Sequence, residues 1–144
     1  MKHLTVSALA LILVSCGSTS GMMFFAGGID PRGWEPGDSI SAVWHNTDTT
    51  TLYELSLAVN LAVFNTPPDP AEFGVTVATI TPDTLTISET VMLRPDPEAL
   101  RRGEYRTLYR HKVRLRREGE YRFVFTPECT VRGVRCVGLV FENR

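Results

Sequence analysis

Apolar and polar residues alternate with a period of two along most of the chain beyond residue 38, the pattern of strands with one face buried. Ile40, Ala42 and Trp44 alternate with Ser39, Ser41 and His45. After a polar loop over residues 46–51, Tyr53, Leu55, Leu57, Val59, Leu61 and Val63 mark one face of a long strand. Its other face, Glu54, Ser56, Ala58, Asn60 and Ala62, is small or polar. Pro67, Pro68 and Pro70 then forbid both helix and ladder pairing. Phe73, Val75 and Val77 start the next strand, and the Thr81-Pro82-Asp83-Thr84 turn sends it back through Leu85, Ile87, Val91 and Leu93. The 73–93 block therefore predicts a hairpin.

The connection that follows is charged and predicts one helical turn over Pro97–Arg102, capped by Asp96 and stopped by Gly103. Val113 and Leu115 belong to a basic strand; Tyr121, Phe123 and Phe125 alternate in the next; residues 134–141 form the last. No stretch of ten residues has helical apolar spacing, and no internal repeat is visible. About seven or eight short strands separated by Pro, Gly, Asp and Asn turns predict an all-β fold, a single antiparallel β-sandwich of jelly-roll or immunoglobulin-like type.

The first residues follow a different pattern. Lys2 and His3 precede an apolar stretch over residues 4–14, interrupted by Thr5 and Ser7, as in an export signal and too short to span a bilayer. It ends Leu13-Val14-Ser15-Cys16-Gly17, which resembles the bacterial lipobox, whose cysteine is lipidated and becomes residue one. The expected organisation is a lipoprotein signal peptide over 1–15, a lipidated Cys16 with a flexible tether over 16–26, and a sandwich over 27–144. Residues 22–25, all apolar, are either a first short strand or a plug against the domain. No acidic residue follows Cys16, so the expected location is the outer membrane, facing the periplasm.

With Cys16 acylated, Cys129 and Cys136 remain. They flank six residues that include Gly133, and in an oxidising compartment they are candidates for a disulfide. Two thiols without further Cys or His ligands do not make a closed zinc site, so no metal is expected.

At 144 residues, with a formal charge of -1, the chain is one domain rather than two, and no overall basicity points to nucleic acid. The near-zero total hides a split. Residues 16–93 hold one basic side chain against nine acidic, a net of -8, and residues 94–144 hold thirteen against seven, a net of +6. Acidic and basic strands that pair across the sandwich would neutralise each other. Otherwise Arg101, Arg102, Arg106, Arg110, Lys112, Arg114, Arg116 and Arg117 present a surface to a partner or to anionic lipid.

Catalytic chemistry finds little support. His45 and His111 are the histidines beyond the signal region, and neither a G-x-S-x-G elbow nor a phosphate loop is present. No catalytic residue and no cofactor is expected. Trp44 and Tyr121 fall on core faces, whereas Trp34, Tyr105 and Tyr109 lie in loop-like or charged contexts and are candidates for a contact surface, either for protein or for a stacked sugar.

The order of these features resembles the gliding-motility lipoprotein GldH family of Bacteroidetes-type bacteria, over most of the mature chain. The resemblance rests on Gly33-Trp34 with Asp38-Ser39-Ile40, on Asp48-Thr49-Thr50 before Tyr53-Glu54-Leu55-Ser56-Leu57, and on Phe73 with the hairpin at Thr81-Pro82-Asp83-Thr84-Leu85. Gly119-Glu120-Tyr121 and the closing strand that ends in Glu142 complete it. The Cys129/Cys136 pair and the arginines of 101–117 depart from it. It implies a non-enzymatic envelope lipoprotein, an accessory of gliding motility or type IX secretion that acts through contacts with other envelope proteins. The competing expectation is a glycan-binding β-sandwich lipoprotein at the cell surface.

Overall fold

A computed structural model describes residues 21–143, with side chains from Ala26 onward. The expected signal peptide and the lipidated Cys16 lie outside these residues. Eight strands follow in order: β1 (Gly21–Ala26), β2 (Ile40–Asn46), β3 (Leu52–Leu61), β4 (Phe73–Ile80), β5 (Thr86–Leu93), then the short helix α1 (Pro97–Arg102), β6 (Glu104–Arg114), β7 (Gly119–Pro127) and β8 (Val134–Asn143). They form two four-stranded antiparallel sheets, β1-β8-β3-β6 and β2-β7-β4-β5. Successive strands mostly alternate between the sheets, which is the jelly-roll arrangement.

The alternation read along each strand explains how the sheets meet. Leu55, Leu57, Val59, Val75, Val77, Phe123, Phe125, Leu139 and Phe141 are buried between them. Phe141 stands edge-on to Tyr53 at 5.5 Å and to Phe123 at 5.8 Å, so one aromatic group joins both sheets. Strands β3 and β8 occupy the middle of their sheet and are buried on both faces over Ser56–Ala58 and 137–140, which is why strict alternation fades there. The hairpin of 73–93 forms as expected, Phe73 opposite Leu93 and Ile80 opposite Thr86.

The helical turn also forms as expected. The Asp96 carboxylate accepts from the Ala99 N–H at 2.8 Å, and Gly103 closes the helix in the left-handed region at φ 73. Two expectations change. Of the two readings of residues 22–25 the short strand holds, and the tether expected to run to residue 26 is shorter, because Gly21–Ala26 pairs with β8 as an edge strand. Cys129 and Cys136 are free thiols, Cys129 exposed and Cys136 half-buried. The segment between them is held elsewhere: Val131 exchanges hydrogen bonds with Trp34, and Arg132 with Asp69, before β8 carries Cys136 away opposite Asn60.

Candidate functional site

The outer strands β5 and β6 are the open edges of the two sheets on the same side of the sandwich. On β5, residues 87, 89, 91 and 93 share the inward face, with Leu85 just before the strand, and at the far end Val91 and Leu93 are buried as the period demands. Toward the turn the cover runs out. Leu85 is 62% exposed and Ile87 48%, although Ile87 pairs with β4 two positions from Val77, which is 1% exposed.

The reason lies on β6. Its register against β3 slips twice, first where His111 and Lys112 together oppose Glu54, with Lys112 at φ 53, and again where Tyr109 is inserted between the Leu55–Arg110 and Ser56–Leu108 pairs. Each bulge bends the strand and increases its twist. Tyr109 and Val113 still pack on the core, but the bulged stretch leaves a groove of about 360 Å³ against β5.

The groove has an apolar floor, formed by Leu55, Val113, Leu115 and the Tyr109 and Tyr121 rings, with Leu85 and Ile87 at its opening. Burial, reinforced by the nearby Glu89 carboxylate, pushes the Tyr109 phenol well above its usual range, so it is a neutral hydrogen-bonding group. Its rim is charged. Arg110 Nε meets both Glu89 oxygens, at 2.7 and 2.8 Å, and closes the seam where apolar packing would otherwise continue. Arg117 Nε meets Asp83 at 3.0 Å. The Thr81 hydroxyl donates to Asp83 and holds its carboxyl below the ordinary range, with smaller help from Arg117. Arg114 and Arg116 line the same groove with no ion pair among the described residues.

The loop that bears these arginines is anchored from inside. Buried Asn46 donates to the Leu115 and Arg117 carbonyls at 3.3 and 3.0 Å, and the Arg117 N–H donates to the Tyr121 hydroxyl at 3.2 Å. These bonds fix the backbone of the 115–117 segment at the rim.

Of the ten residues expected to form a contact surface, Tyr109, Arg110, Arg114, Arg116 and Arg117 are brought together here. Trp34 is not on the surface. It is 1% exposed and its Nε1 donates to the Asp38 carbonyl at 2.9 Å, because the turn of residues 35–38 folds over it. Arg101 and Arg102 sit on α1, paired with Glu98 at 3.3 and 3.5 Å. Tyr105 packs half-buried on the core, and Arg106 bridges Glu104 and Glu142. The charge halves do meet in places, through Glu89–Arg110, Asp83–Arg117 and Asp69–Arg132. His45 lies 3.9 Å from Glu120 and His111 3.5 Å from Glu54; neither lines the groove. No group of three or more Cys, His, Asp or Glu among the described residues could hold a metal ion.

Reading the strand pattern alone missed Leu85, Ile87, Glu89 and Asp83. The available signal was Glu89, a carboxylate on the inward face of a strand that is otherwise apolar there.

No family model matches this chain, and no curated protein matches it. It is similar in structure to a family GH115 4-O-methyl-alpha-glucuronidase with specificity for decorated arabinogalactans, at 13% identity and a TM-score of 0.44, over 83% of this chain and 14% of that one. It is also similar to a structure described as "CBM4 structure and function", at 10% identity and a TM-score of 0.37, over 83% of this chain and 66% of that one.

Proposed function

We propose that this protein is a non-enzymatic envelope lipoprotein that acts by binding, and that a protein partner docks in the groove between β5 and β6. The observation that carries the reading is the uncovered inward face of β5. Leu85 and Ile87 face the groove with no side chain over them. An extended partner segment with apolar side chains complements this face. The lipobox-like sequence ending at Cys16 supports the membrane anchor in this reading, and the resemblance to the GldH family supports an accessory role in gliding motility or type IX secretion.

Affinity capture from gently solubilised envelopes tests this. Proteins retained by the natural chain should be lost with a Leu85→Asp/Ile87→Asp variant of unchanged circular dichroism. Recovery of the lipoprotein alone, or equal retention by the variant, would overturn it.

A second reading, a glycan site, is favoured by one observation: the Tyr109 ring lines the groove beside the Glu89–Arg110 and Asp83–Arg117 pairs, an aromatic group next to polar ones. Retardation in polysaccharide gels, relieved by Tyr109→Ala, would select it over a protein partner.

A further inference from the structure

Strand direction determines which end of the sandwich lies beside the chain that precedes it. β1 starts at Gly21, opposite Glu142 near the close of β8. β3 starts at the same end, with Leu52 opposite Arg114 at the close of β6. The connections over residues 47–51, 81–85 and 115–118 are gathered there too. In sequence, Cys16 stands five positions before Gly21. Five residue steps span at most ~17 Å, about half the length of a ten-residue strand. An acylated Cys16 therefore holds this end, rather than the end that carries α1, nearest to the bilayer.

Charge follows the same axis. Lys112, Arg114 and Arg116 lie together at this end and make no ion pair among the described residues. The carboxylates of Glu35, Asp38, Glu72 and Glu128, likewise outside any ion pair among those residues, lie in connections at the opposite end, where they outnumber the two cations without one, Arg94 and Arg135. At the near end Asp83 pairs with Arg117, while Asp48, ionised and hydrogen-bonded within its own turn, and Glu118 are carboxylates outside any ion pair among the described residues. Leu52, 38% exposed, adds an apolar side chain across from Arg114.

We propose that this end of the sandwich rests on the bilayer, with Lys112, Arg114 and Arg116 over anionic phospholipid headgroups and Leu52 at the interface. The proposal rests on lipidation of Cys16. Cations near a negatively charged leaflet are attracted within a Debye length, and the far-end carboxylates would be repelled only if that end were turned to the leaflet, so both charge groups favour the same orientation. Long arginine side chains reach the headgroups while their stems cover apolar surface. The groove opens beside this end, so a partner that docks there does so next to the membrane.

The lipidated full chain, incorporated into preformed vesicles of phosphatidylcholine with or without phosphatidylglycerol, tests this by thiol labelling with an impermeant maleimide. Exposed Cys129 reports the far end, and Glu118→Cys in a Cys129→Ser chain reports the near end, both with Cys136→Ala. On anionic vesicles, labelling at position 118 should slow several-fold relative to Cys129, and Arg114→Glu/Arg116→Glu should restore it while the protein still floats with the vesicles. Flotation with equal labelling at both ends would overturn the orientation alone. Failure to float would refute the lipid anchor, and the orientation with it.

Discussion

Trp34 belongs to the core, packed under the turn of residues 35–38. Set among Gly, Pro and charged residues, it resembles a surface aromatic, yet it is 1% exposed and bonded through Nε1 to the Asp38 carbonyl. Trp34→Ala should therefore behave as a core deletion and cost about 3–5 kcal/mol in chemical denaturation. Asp48 is the opposite case, a fully exposed side chain with a structural task. It accepts from the Thr51 hydroxyl and from the Thr50 and Thr51 N–H groups, which together lower its pKa to about 2. The folded value lies below the ~3.9 of an unfolded aspartate, so its stabilisation is complete above about pH 4 and disappears as pH falls toward 2. An Asp48→Asn variant should lose less stability across that interval than the natural chain, measured as urea midpoints at matched pH. Equal slopes would remove Asp48 from the account. The Asp48-Thr49-Thr50 string was visible in the sequence, but its role depends on the loop closing over its own backbone.

At the scale of elements, α1 was legible from residues alone, since Asp96, Pro97 and Gly103 are each required by one helix end. A Cβ added at Gly103 would meet the Phe64 ring at 2.5 Å, but Phe64 is 66% exposed and can swing aside, whereas φ 73 stays. Gly103→Ala should thus cost about 1–2 kcal/mol through the backbone, and Phe64→Ala should relieve little of it. Thermal denaturation of the two single variants and the double separates these terms. β6 was not legible. Period two survives along it only through two bulges, and a bulge leaves no pattern in one strand because it is a relation between two. β1 was ambiguous for a related reason: four apolar residues after a polar linker suit a strand or a plug, and only β8 offers the ladder that decides it.

At the scale of the molecule, the -8 and +6 halves resolve into a geometry that neither total contains. The acidic first half supplies Asp83 and Glu89 to β5 and its turn, the basic second half supplies Arg110 and Arg117, and they meet along the one seam where apolar packing stops. The uncovered part of β5 should be thermodynamically quiet. Ile87→Asp should change stability by no more than about 0.5 kcal/mol, as at other exposed positions, whereas Val77→Asp, two pairs along the same inward face, should unfold the domain. Equal losses in denaturation experiments would show that the groove is closed in solution.

The sequence by itself determined the sandwich, its hairpin, its helical turn and much of its core, though not Trp34, because period-two alternation, prolines and caps act within a few residues of where they stand. Only the tertiary structure decided the site. Which inward-facing residues lose their cover, which arginines find a carboxylate and which end of the molecule lies beside Cys16 all depend on strands far apart in sequence, and on the register in which they meet.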